Sequence, residues 1–150
     1  MKDKMGDSYV GPKIFTLEQA NRLIPQVKAV LSKLRQQRDQ LHNLENALAI
    51  VELEGLQADG TPSPLARTVA LEKSSRIEKQ MDGFKLLLEE LDAIGCQLKD
   101  LDEGLVDFFT IHQGQLVYLC WKDGEEAIRY WHRMEDGFAG RRPVTELANN

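Results

Sequence analysis

Asp107 lies in the apolar run Leu105-Val106-Asp107-Phe108-Phe109, where a carboxylate without a partner is costly to bury. It must therefore pair with something or take part in chemistry. The same third of the chain concentrates Asp100, Asp102, Glu103, Cys120, Glu125, His132, Glu135, Asp136, Arg141 and Arg142. His132 with the carboxylates Asp100, Asp107 and Glu125 is a donor set for a divalent metal, or an acid/base pair. The plainer alternative is an imidazole that ends a strand with one hydrogen bond to backbone, because no HxH, HExxH or CxxC spacing is present. Gly137-Phe138-Ala139-Gly140-Arg141-Arg142-Pro143 is a glycine-punctuated loop ending in two arginines. Arg141 and Arg142 could bind a carboxylate or phosphate, or clamp the acidic segment 100–107 of the same chain. No residue pattern specifies a cofactor.

Strand periodicity decides which of these groups can meet. Val106 to Ile111, Gln115 to Trp121 and Ala127 to Arg133 are β-branched and aromatic runs separated by His112-Gln113-Gly114 and by Asp123-Gly124. Two-residue turns at both places pair Asp107 with Cys120 and Phe108 with Leu119, and then Cys120 with Ala127 and Leu119 with Ile128. In that register Val106, Phe108, Val117, Leu119, Trp121, Ile128, Tyr130 and His132 share one face. Asp107, Phe109, Ile111, Leu116, Tyr118, Cys120, Arg129, Trp131 and Arg133 share the other. Arg129 then falls diagonally beside Asp107 as an ion-pair partner, or Asp107, Cys120 and Arg129 line a site together. His132 falls on the opposite face from Asp107, and a joint catalytic role fails if the folded sheet keeps them there. Cys120, flanked by Leu119 and Trp121, reads as a packed small residue with no base beside it.

The elements that carry this sheet are two long helices. Thr16 and Gln19 form a capping box with Phe15 and Ala20 as a staple. From there Ala20, Val27, Leu34, Leu41 and Leu48, with Leu23, Val30, Gln37, Leu44 and Val51, hold a seven-residue period over five heptads. Pro25 removes one backbone bond inside this helix and predicts a bend at 21–25. Turn chemistry at Asp59-Gly60-Thr61-Pro62 ends it, and Ser63-Pro64 opens a second helix as N-cap and first residue. The stripe of that helix is Ala70, Ser74, Ile77, Met81, Phe84, Leu88 and Leu91, with Gly95 as its C′ residue. The expected fold is α+β: a long antiparallel, coiled-coil-like helical hairpin followed by a small antiparallel three-stranded sheet. Helix 1 spans 16–54, helix 2 spans 63–94, the sheet and arginine loop span 96–143, and 144–150 form a tail, all in a single domain.

Length and charge exclude several roles. The 150 residues carry 19 Lys and Arg against 24 Asp and Glu, a net charge of -5, enough chain for a core without disulfides. Much of the acidic excess lies in 96–110, where Lys99 faces Asp100, Asp102, Glu103 and Asp107. That balance opposes nucleic-acid binding, which needs a basic stripe. No apolar run reaches the ~20 residues of a membrane helix, and Met1 to Lys13 has no apolar stretch suited to a targeting peptide. Cys96 and Cys120 are too few for a disulfide framework and read as reduced thiols of a cytoplasmic protein.

Phe15-Thr16-Leu17-Glu18-Gln19-Ala20-Asn21-Arg22-Leu23-Ile24-Pro25 resembles the opening of a bacterial family, the domain of unknown function DUF2203. Lys99-Asp100-Leu101, Gly104-Leu105-Val106-Asp107-Phe108, Leu119-Cys120-Trp121, Glu125, Trp131-His132 and Gly137 to Pro143 resemble its later signature. In that family the GLVDF element is usually followed by proline, where this chain has Phe109, a departure that bears on the local turn alone. The resemblance implies no activity.

Two functions therefore stand open. Helix 2 has the shorter and softer stripe and leaves the seam of helix 1 uncovered near 44–51, so the hairpin is expected to serve self-association or partner docking. The alternative is a small enzyme or ligand sensor that uses Asp107, Glu125, His132 and Arg141 with a divalent metal or an anionic small molecule.

Overall fold

A computed structural model describes residues 11–149; residues 1–10, on which most of the targeting-peptide reading rests, lie outside it. The capping box forms as the residue types require. Thr16 N–H donates to Gln19 Oε1 at 2.9 Å, and Gln19 N–H donates to Thr16 Oγ1 at 3.1 Å. Helix α1 then runs from Leu17 to Glu54 and continues through Pro25. The side chain of Ser63 accepts from Ala66 N–H at 3.1 Å, which starts α2, Pro64–Ile94. Gly95 ends α2 at φ 104°, where a Cβ would lie 2.6 Å from Lys13 and 3.0 Å from Phe15, so only glycine fits. Among the described residues no helix is long and apolar enough to cross a membrane.

The chain divides into two compact units, one of residues 1–28 with 91–150 and the other of residues 29–90. The second unit is a helical hairpin. Gln80 donates to Gln40 at 2.7 Å, and Gly83 faces Gln37, so positions advancing on α1 meet positions receding on α2. The turn closes through a Leu56–Pro62 bridge, and Gly55 is small because an added Cβ would lie 2.3 Å from that of Ala66. The seven-residue period misplaces part of the buried stripe. Ile24 and Leu31 are buried and Leu23 is only half-buried, since a straight helix of 3.6 residues per turn drifts off a 3.5-residue repeat. Met81 and Ser74, expected in the stripe of α2, are exposed.

In the first unit the described residues form five strands rather than three, all antiparallel and in chain order: β1 Gln97–Asp100, β2 Leu105–His112, β3 Gln115–Lys122, β4 Tyr130–Arg133 and β5 Arg142–Pro143. The two unexpected strands are edges with little pattern: β1 has an irregular register between Leu98 and Asp100, and β5 is two residues ending in proline. The nominal tail contains a 3-10 turn, Val144–Asn149. Phe109, where the resembling family has proline, continues β2, and its carbonyl accepts from Phe15 N–H at 2.8 Å.

The β2–β3 turn has both Gln113 (φ 52°) and Gly114 (φ 76°) left-handed, and Asp107 pairs with Cys120 and Phe108 with Leu119, as the sequence predicts. The β3–β4 connection departs from expectation. Cys120 pairs with Tyr130 rather than Ala127, and Leu119 with Trp131 rather than Ile128. Residues 125–128 are drawn away from the ladder. Glu125 accepts Lys122 N–H at 2.8 Å through its side chain and Trp121 Nε1–H at 2.9 Å through its carbonyl, while Ile128 N–H donates to Asn21 Oδ1 at 2.8 Å. An odd register slip exchanges the faces of a strand. Tyr130 and His132 therefore join Asp107, Phe109, Tyr118 and Cys120, and Trp131 and Arg133 go to the face of Phe108 and Leu119.

Candidate functional site: a buried Asp-Cys-His cluster

The register change brings together what the sequence set apart. Asp107 on β2, Cys120 opposite it on β3 and His132 on β4 share one face of the sheet, each no more than 3% exposed. Their candidate ligand atoms all lie within 4.8 Å of one another. His132 Nε2 sits 3.2 Å from Asp107 Oδ2, and His132 Nδ1 sits 2.9 Å from the carbonyl of Arg133. Both ring nitrogens thus face oxygen acceptors, so in the metal-free protein the imidazole holds both protons. Burial works against that charge, but the bonds to Asp107, Cys120 and the Arg133 carbonyl outweigh it and hold the imidazole pKa up to about 10. Burial also raises the Cys120 thiol above its ordinary value, against a bond to His132. A buried thiol beside an imidazolium that has no free nitrogen lacks the base a cysteine nucleophile needs.

Asp107 Oδ1 is buried without a hydrogen bond of ordinary geometry, beside the Cys120 thiol, a desolvation cost that a cation would relieve. A cavity of about 150 Å³ opens beside the three side chains and is also lined by Lys99, Tyr118 and Phe138. Lys99 Nζ donates to Tyr118 Oη at 3.3 Å and lies 4.5 Å from the ring centre, and Tyr118 Oη donates to Gln97 at 3.0 Å. The Tyr118 and His132 rings are 5.3 Å apart.

Thiolate, imidazole and carboxylate together suit a borderline-soft divalent ion such as Zn²⁺ rather than Mg²⁺ or Ca²⁺, which take oxygen ligands. The edges of a zinc tetrahedron are roughly 3.3–3.7 Å from its bond lengths. The 3.2 Å His132–Asp107 separation is close to such an edge. With Nδ1–H donated to a backbone carbonyl, Nε2 is the nitrogen left to ligate, an outer bond that commonly orients a metal-binding histidine.

The other expected site residues lie elsewhere. Asp100 is exposed and caps the turn after β1, accepting from Glu103 N–H at 2.9 Å. Glu125 takes a bidentate pair of bonds from Arg141 at 2.7 and 2.9 Å. Burial alone would raise its pKa, but Arg141 and the Lys122 amide hold it below the ordinary value. Arg141 also donates to the Cys120 carbonyl at 3.2 Å and stacks on Tyr130 and Phe138. Arg142 pairs with Glu146 at 2.9 Å and lies over Trp131. Among the described residues the polar contacts of Arg141 go to Cys120 and Glu125 and those of Arg142 to Glu146, rather than to the expected clamp on 100–107. Arg129, expected beside Asp107, is exposed instead, and His132, expected on the opposite face, stands next to Asp107. The sequence underrated Cys120, whose position opposite Asp107 was already legible from the Gln113-Gly114 turn.

No curated protein and no solved structure matches the chain. The model of one family, described as an uncharacterized conserved protein (DUF2203), matches residues 13–144. That span covers both helices and the whole Asp-Cys-His cluster, and the chain belongs to the DUF2203 family.

Proposed function

We propose that the protein binds a divalent transition-metal ion, of the zinc class, through Asp107 Oδ, Cys120 Sγ and His132 Nε2. The observation that carries this reading is the convergence of three chemically different buried donors within 4.8 Å. Binding displaces the thiol proton and the Nε2 proton, so the ion takes the place of the proton now shared between His132 and Asp107. Thermal melts of the metal-free protein with and without Zn²⁺ test it. At 100 times Kd the ion contributes about 2.7 kcal/mol, a rise in Tm of several degrees. The rise should vanish in both Cys120→Ala and His132→Ala, each compared with its own metal-free melt. A wild-type melt indifferent to Zn²⁺, or an equal rise in both variants, would sink the reading.

A second reading, self-association through the hairpin, draws on apolar exposure in residues 29–90. Leu53, Leu65 and Leu71 are each 73% exposed, and Leu71 and Leu56 line one groove with Pro62, Ala66 and Ala70. Sedimentation equilibrium at micromolar concentration should return a dimer that Leu71→Glu shifts toward monomer. A monomeric wild type would dispose of this reading and leave the metal site untouched.

A further inference from the structure

We infer that the metal held by Asp107, Cys120 and His132 keeps one coordination position open to the adjoining cavity, and that this position takes a compact monoanion, such as a short carboxylate. The inference rests on the metal reading above and extends it from a closed structural ion to a reactive, ligand-binding one. Structural zinc sites are closed by four protein ligands, whereas sites that admit a ligand from solution use three and leave the fourth position for water or substrate. Among the described residues this is the one cluster of His, Cys, Asp or Glu able to converge on an ion, and it has three members. All three line the cavity of about 150 Å³, so the fourth vertex has a space to face. That volume admits a ligand of a few heavy atoms and excludes a nucleotide or peptide.

Charge selects the class of ligand. A divalent ion with one thiolate and one carboxylate is neutral, so a bound monoanion leaves the centre with a single negative charge. Lys99 lines the cavity as its one ammonium group, held at the Tyr118 hydroxyl. It offsets a monoanion but not the second charge of a phosphate. Asp136 lines the same cavity and works in the opposite direction. The two residues therefore make opposite predictions for one measurement.

Cobalt-loaded full-length protein, followed by visible absorption during titration with acetate and separately with inorganic phosphate, reads the open position directly. Acetate should shift the ligand-field bands, with phosphate weaker at equal concentration. Lys99→Met should weaken acetate binding about 3- to 10-fold, and Asp136→Asn should strengthen it by roughly 2- to 5-fold. Cobalt bound with a thiolate charge-transfer band but unmoved by acetate would mean a closed centre and overturn the inference while sparing the metal reading. Equal acetate affinity in Lys99→Met and wild type would overturn the assignment of the ligand class. Absence of any thiolate band would remove the metal reading and this inference together.

Discussion

Asp107→Ala should destabilise the metal-free protein by about 3–5 kcal/mol, the loss expected when one member of a buried ion pair is removed. The carboxylate lies within β2, 2% exposed, and meets His132 Nε2 at 3.2 Å. Truncation leaves the imidazolium buried against the Arg133 carbonyl with no countercharge, so the site must either lose its proton or open to water. Urea unfolding measures the loss as a lower midpoint at constant slope. Removing His132 as well takes away the stranded charge. Asp107→Ala with His132→Ala should therefore fall short of the sum of the two single losses, the signature of coupled neighbours. A single-variant loss below about 1 kcal/mol, or strict additivity, would show that the pair contributes little.

Raising the pH should weaken the metal-free protein across a defined window. Below 6.5, the ordinary imidazole value, the folded and unfolded chains both hold the His132 proton and the contribution of the pair is fully present. Between there and about 10 the unfolded chain releases that proton while the folded chain keeps it. Folding then takes up a proton, and stability falls by up to ~1.4 kcal/mol per pH unit. Above about 10 the contribution is gone. Unfolding free energies collected from neutral to alkaline pH should show this descent in wild type and a much flatter profile in His132→Ala. Parallel profiles would assign the alkaline loss to other groups, Cys96 among them, whose thiol burial pushes up to about 12.

Both expectations depend on a contact that sequence arithmetic places on opposite sides of the sheet. The pairing of Asp107 with Cys120 was readable because Gln113-Gly114 fixes the β2–β3 register within a few residues of itself. The pairing of β3 with β4 was not. Asp123-Gly124 carries the same turn signal, but Gly124 alone takes positive φ there, at 107°. The intervening residues are held instead by Glu125, Arg141 and Asn21, the last 107 positions away from Ile128. A local rule cannot anticipate a bond supplied by the first helix.

The same distinction runs through the rest of the chain. Sequence by itself determined the helices, their Thr16-Gln19 and Ser63 caps, the Gly95 stop and the β2–β3 hairpin, because each carries a local signal, a cap side chain or a residue that accepts positive φ, though Lys13 and Phe15 also crowd Gly95. Tertiary structure alone decided the edge strands β1 and β5, the internal pairing of Arg141 with Glu125, and the face on which His132 lies. Those features depend on long-range hydrogen bonds and on a side-chain period of two, in which a slip of three residues carries His132 from one side of the sheet to the other and so creates the buried Asp-Cys-His cluster.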